Sequence, residues 1–191
     1  DSTAYEVETI IERRVPGKPH QGKTLAAIQP HCDDIPIFAG GTVLKLIDEG
    51  YEGILITMSD DSMAGNLNAD LAQNRRGKAT YGQIVHANED DTIEVGRRLG
   101  LKESLFLNYP NHNMDVWPVI EMRARLIFLF RAYKIDTVFV YDPSGLYERN
   151  PDHYVTARAV ESAYWMSKSE WDYPEHFKVG LEPYGPNEAY Y

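Results

Sequence analysis

From Thr24 onward the chain alternates short apolar runs with longer stretches of helical periodicity. Leu25-Ala-Ala-Ile28 is a continuous apolar run of the kind found in strands covered on both faces. Pro36 follows, and proline is favoured in the first turn of a helix. Ile37, Phe38, Gly41, Leu44 and Ile47 then recur at helical spacing until Gly50 supplies a stop. Gly53 to Met58 reads as a second buried strand, residues 84–99 as a helix ending at Gly100, and Ser104 to Leu107 as a third strand. Val116 to Tyr133 predicts the clearest helix, with Val119, Ile120, Leu126, Ile127 and Phe130 on one apolar stripe. Thr137 to Tyr141 is a fourth strand and Asp152 to Met166 a further helix. Residues 59–82 are polar and read as a loop longer than most connections in compact domains, which suits a functional role.

Strands alternating with helices of this length predict an α/β fold, a Rossmann-like three-layer sandwich around a mostly parallel sheet. Residues 24–191 are expected to form this single domain. Residues 1–23, punctuated by Pro16, Gly17, Pro19 and Gly22, read as an irregular lead-in, and the last 25 residues as an aromatic wrapping segment without periodicity. Gly40-Gly41 inside a helix costs roughly 1 kcal/mol per glycine relative to alanine, a cost that close packing of the helix on the sheet would explain.

Composition narrows the function classes. The 191 residues carry a formal charge of −10, which argues against a nucleic-acid surface, since that needs a basic face to displace counterions. Cys32, the one cysteine, excludes an internal disulfide and a multi-thiolate metal cage. No apolar run approaches the roughly 20 residues that span a bilayer, so a soluble protein is expected, with the cytoplasm favoured. Asp1 reads as a processed or trimmed start.

In parallel sheets, ligands bind beyond the carboxyl ends of the strands, where strand order reverses. The predicted strands are followed there by Pro30-His31-Cys32-Asp33-Asp34, Ser59-Asp60-Asp61-Ser62, Tyr109-Pro-Asn-His112 and Asp142 to His153. His31 offers an imidazole nitrogen and Asp34 a hard carboxylate oxygen, a set suited to Zn²⁺ or another divalent cation. Two adjacent carboxylates repel unless a cation engages one, leaving the other to take a proton from water that the cation acidifies. The plainer reading is that Asp34 caps the following helix and His31 is a polar strand end. Asn150-Pro-Asp-His153 taken alone is helix-start chemistry; with His31 and Asp34, His153 completes a two-histidine, one-carboxylate set with an open position. His112 reads as a rim residue, Asp60 and Asp61 as solvated carboxylates unless they touch substrate, and His20, His86 and His176 as surface residues. Cys32 reads as a small packed side chain. No glycine fingerprint for nucleotide phosphates follows any strand.

Pro30-His31-Cys32-Asp33-Asp34, Ala39-Gly-Gly-Thr42, Leu99-Gly100 and Tyr141 to His153 together resemble the PIG-L/LmbE-like zinc-dependent de-N-acetylases over roughly residues 24–166. The resemblance implies His31, Asp34 and His153 as zinc ligands, Asp33 as general base, and Tyr147 as a mobile tyrosine that polarises the scissile carbonyl. Many members of that family have histidine directly before Pro-Asp-His; here Asn150 stands there, an amide that donates a hydrogen bond but carries no titratable proton. Asn88-Glu-Asp-Asp91 stands in place of the family's Arg-x-x-Glu, and a carboxyl-terminal part that many members have is unmatched. The function expected is hydrolysis of an N-acetyl or other N-acyl group on an amino sugar or its conjugate, with Zn²⁺ or another divalent metal as cofactor and Asn150 contributing an oxyanion donor. The expected partner is a small N-acetylated molecule, with self-association into a homo-oligomer left open. The alternative is a catalytically silent sugar- or metal-binding module on the same fold.

Overall fold

A computed structural model describes residue 11 and residues 13–63 and 79–191. Five parallel strands form one sheet: β1 (Thr24–Gln29), β2 (Glu52–Ser59), β3 (Glu103–Tyr109), β4 (Ile135–Phe139) and β5 (Glu188–Tyr190), in the order β3-β2-β1-β4-β5. The helices are α1 (Gly40–Asp48), α2 (Tyr81–Arg98), α3 (Val119–Ala132), α4 (Pro151–Met166) and the short α5 (Glu175–Lys178). The chain builds β2 and β3 on one side of β1, then crosses to lay β4 on the other. The order therefore reverses at the β1–β4 boundary, the point at which parallel sheets open a crevice.

Alternation along the central strands divides the core in two. Leu25, Ala27 and Leu55 face Val43, Leu46 and Leu101 on the α1 side. Ala26, Ile28, Ile54 and Ile56 face Leu126, Ile127 and Phe130 of α3 and Val155 and Val160 of α4 on the other. Helices on both faces make the predicted three-layer α/β arrangement, and explain why the strands read as unbroken apolar runs. Gly53 sits where β2 meets the α1 layer: a Cβ there would lie 2.4 Å from Leu101 Cδ2 and 2.6 Å from Ile47 Cδ1.

Several expected details change. The segment after β1 opens as a five-residue π-turn, Ile35–Ala39, before α1. The wider turn shifts the helical phase, so Gly40, Val43 and Leu46 face the core, while Ile37, Phe38 and Leu44 are exposed. Gly41 has open space around its missing Cβ and Gly40 only ordinary contacts, so close packing on the sheet does not account for the pair. The long helix begins at Val119 rather than Val116, because Pro118 holds Trp117 extended and confines the preceding residues to a single 3₁₀ turn. Its buried line runs through Met122, Leu126, Ile127 and Phe130, leaving Ile120 outside. α2 starts three residues earlier than the periodicity suggested, at a capping box between Thr80 and Gln83. The final segment adds a short helix and an edge strand; three residues of β5 are too few to show a period. Residues 64–78 of the long loop lie outside the described residues.

Arg131 organises the tail. Its guanidinium is fully buried and donates to the carbonyls of Ser167, Ser169, Asp172 and Tyr173, with the His176 ring beside it at 3.1 Å. His176 is thus a core residue and not a surface one. His20 is also engaged, stacked on Tyr51 with ring centroids 4.4 Å apart and close to the buried Glu49.

Candidate metal centre

The turn after β1 is held from three sides. Gln29, buried at the end of the strand, donates through Nε2 to Thr57 Oγ1 and accepts from the Ile35 backbone N–H. Asp34 Oδ2 accepts from the His31 backbone N–H at 2.8 Å, and Asp61 Oδ2 accepts from the Cys32 N–H at 3.0 Å. Across the switch point, Asn150 caps α4 by accepting from the Asp152 N–H, which sets Asp152 and His153 in the first turn. Asp34 also accepts from the Tyr141 hydroxyl at 2.8 Å, and the Tyr141 ring stacks on His153 with centroids 4.1 Å apart.

These constraints bring His31, Asp34 and His153 together, with one donor atom from each lying within 4.8 Å of the others. His31 Nδ1 is 3.1 Å from His153 Nε2 and 3.4 Å from Asp34 Oδ2, and His153 Nε2 is 3.4 Å from Asp34 Oδ1. A tetrahedral ion with bonds of about 2.0–2.2 Å separates its ligands by roughly 3.4 Å, so the spacing fits. The distal nitrogens are engaged by carboxylates: His31 Nε2 lies 3.1 Å from Asp152 Oδ2, and His153 Nδ1 lies 2.9 Å from Glu148 Oε2. In the tautomer that donates each distal N–H to its carboxylate, His31 Nδ1 and His153 Nε2 turn lone pairs toward one another beside a third acceptor. Such an arrangement is repulsive until a cation, or a proton, enters it. Imidazoles oriented by carboxylates on their far side are a hallmark of metal ligation.

The electrostatics follow. Burial alone would favour neutral His31, but hydrogen bonds to Asp152 and Asp34 outweigh it and raise its pKa to about 10. Burial likewise works against charge on Asp34 and Asp152, yet bonds to His31, reinforced by His153 for Asp34 and by the His112 and Met114 N–H groups for Asp152, hold both below the usual carboxylate range. Asp33 differs. Its side chain stands at the exposed lip of the turn, and partial burial together with the neighbouring Asp34 charge raises its pKa. The two adjacent carboxylates are thereby split, one anionic inside and one more basic at the opening.

The other candidates separate by position. Tyr147 is 94% exposed on the loop leading to α4. Asn150 is half-buried, with its Oδ1 committed to the cap. His112 has its ring edge-on to His31 at 6.0 Å and, at φ +59°, a left-handed backbone that aims its N–H at Asp152. Asp60 and Asp61 are buried, not solvated. Asp60 accepts from Ser62, Asn111 and the Tyr81 hydroxyl, and Asp61 braces the Cys32 turn. Cys32 lies half-buried beside Asp61, and burial pushes its thiol up. Sequence reasoning missed Tyr141, Glu148 and Asp152 as partners of the ligand set. Asp152 lies inside the Pro-Asp-His signature, where a helix-start role was sufficient reason for it, whereas nothing local distinguishes Glu148.

An α/β sheet with a His–Asp–His set at its switch point defines the class, and the sequence comparison supplies the lineage: residues 26–164 match the family described as PIG-L: GlcNAc-PI de-N-acetylase, and the chain belongs to it. The diacetylchitobiose deacetylase of Thermococcus kodakarensis is 25% identical over 131 residues, 69% of this chain and 45% of that protein. The N,N'-diacetylchitobiose deacetylase from Pyrococcus horikoshii, solved with an inhibitor, superposes with a TM-score of 0.74 at 29% identity, covering 85% of this chain and 57% of that one. GalB, the 4-carboxy-2-hydroxymuconate hydratase from Pseudomonas putida, shares the fold with a TM-score of 0.67 at 19% identity, over 85% of this chain and 62% of its own. The chain thus spans about half the length of the deacetylases it matches. Among the described residues, no helix is long and apolar enough to cross a membrane.

Proposed function

We propose that this chain is a metal-dependent amide hydrolase that removes an acetyl, or similar acyl, group from the nitrogen of an amino sugar or its conjugate. The observation that carries the reading is the approach of His31 Nδ1 to His153 Nε2 at 3.1 Å beside Asp34, with a carboxylate behind each ring. His31, Asp34 and His153 would hold the ion, for which Zn²⁺ suits the nitrogen and oxygen donors. When bound, such an ion supplies a Lewis acid that polarises a carbonyl and makes water a nucleophile near neutral pH. The relatives' names support deacetylation. GalB shows that the fold also serves a hydratase, so the fold alone does not choose the reaction.

The chain's own residues then divide the work. Asp33, raised in pKa at the lip of the turn, takes a proton from the attacking water and returns it to the departing amine. Asp152 and Glu148 keep the two imidazoles in the tautomer that leaves the inner nitrogens as acceptors. Because Asn150 Oδ1 is fixed by the helix cap, its Nδ2 hydrogens are available to the carbonyl oxygen as charge develops there. Tyr147, on the exposed loop, supplies a second donor when that loop closes over substrate.

Acetate release from N-acetylglucosamine and N,N'-diacetylchitobiose, measured with Zn²⁺ and after chelation, tests the reading. Chelator-sensitive acetate is expected. Stoichiometric metal binding without acetate from any N-acetylated sugar would replace the enzyme with a silent binding module.

A further inference from the structure

The two sides of the metal-ligand set differ in polarity. On the β2 and β3 side the loops are polar, with Asp60, Asp61 and Asn111 buried beneath the exposed His112. There, Asp61 Oδ1 and Asn111 Nδ2 are buried without a hydrogen-bond partner among the described residues. On the β4 and β5 side a cavity of about 520 Å³ opens between the π-turn and the ends of the two strands. Its wall is mostly apolar and aromatic, built from Ile28, Ile35, Phe38, Phe139, Tyr190 and Tyr191, with Thr42 and Asp142 as polar members. Asp34 and Tyr141 belong to that wall, and the Tyr141 ring that lines the cavity also stacks on His153. The cavity therefore adjoins the ligand set through Asp34 and Tyr141. Its volume falls in the range of small-molecule sites and far exceeds the methyl of an acetyl group, which is comparable in bulk to a water molecule at about 30 Å³.

We infer that this cavity is an acyl-chain pocket, and that the chain acts on N-acyl amino sugars whose acyl group is longer than acetyl. The inference rests on the hydrolase reading above and names the substrate class for that site. The sugar lies against the β2 and β3 loops, the amide lies over the ligand set, and the alkyl chain runs between Phe38 and Phe139. Water adds its oxygen to the acyl carbon, the carbon–nitrogen bond breaks, and a proton passes to the amine. The products are a fatty carboxylate and a free amino sugar. The chain length enters through burial: each methylene removed from water contributes about fourfold in an equilibrium constant, as long as the cavity has room for it.

The zinc-loaded protein is assayed with N-acetyl-, N-butanoyl-, N-hexanoyl- and N-octanoylglucosamine. The expected result is a kcat/KM that climbs about fourfold per methylene over the early part of the series. Thr42→Trp, from an exposed position on the cavity wall, is expected to flatten the climb to within about twofold, and Phe38→Ser to shallow it. A flat or falling series in the unaltered protein overturns the pocket, as does a climb that survives in Thr42→Trp. If no member is hydrolysed, acetyl included, the hydrolase reading fails, and the pocket is decided by octanoate binding in calorimetry. Binding that Thr42→Trp removes sustains it, and absence of binding overturns it.

Discussion

At the scale of single residues, Asp33 and Asp34 show how environment divides two neighbours of the same type. Asp34 is buried against two histidines and a tyrosine hydroxyl, while Asp33 stands at the lip with a raised pKa. Asp33→Asn is expected to retain metal, measured by elemental analysis, and to lose about 10²–10⁴-fold in kcat. His153→Ala removes one of three donors and is expected to be isolated without stoichiometric metal; full zinc content in that variant would reject the ligand assignment. Asp152→Asn keeps the shape but weakens the orientation of His31. A 10–100-fold loss of metal affinity is expected in a competition titration with a chromophoric chelator. His31 and Asp34 were legible in the sequence because the pair carries complementary donors after a strand. Asp152 and Glu148 were not, since their partners lie 121 and 5 positions away and only the fold gives them direction.

At the scale of elements, β1, β2 and β4 were readable because each is buried along nearly its whole length and so shows as an apolar run, whereas the three-residue edge strand β5 shows none. The helix edges depended on local chemistry that periodicity does not carry: the π-turn before α1, the Pro118 stop and the Thr80 capping box. The tail depends on one buried cation. Arg131→Met leaves four carbonyls without their donor, and a loss of about 3–4 kcal/mol in chemical denaturation is expected. His176, beside that guanidinium, gives the tail a pH dependence. Burial and the Arg131 charge lower its pKa below the ordinary 6.5. The unfolded chain therefore binds more protons there as pH falls through 6.5. The contribution of His176 is full above about pH 6.5 and declines below it. Denaturation curves at pH 7.5 and 5.5 are expected to differ more for the unaltered protein than for His176→Gln.

At the scale of the whole molecule, crossing from the β3-β2-β1 half to the β4-β5 half makes the site. The crossing sets the carboxyl end of β1 beside the start of α4 and so brings His31 to within hydrogen-bond distance of His153. A cation that binds this set only in the folded state stabilises the whole domain by mass action. Saturating Zn²⁺ is expected to raise the melting temperature, and His153→Ala to abolish that rise.

The sequence by itself determined the α/β alternation, the two layers of core and the residue types able to hold a cation, because burial and donor chemistry are written in the side chains and their local order. Only the tertiary structure decided the carboxylates behind the histidines, the burial of Asp60, Asp61 and His176, and the apolar cavity beside Asp34. Apart from the Glu148–His153 contact, five positions apart, each of these arises from contacts between segments distant in the chain, and a side chain's partner across a sheet leaves no period in the sequence around it.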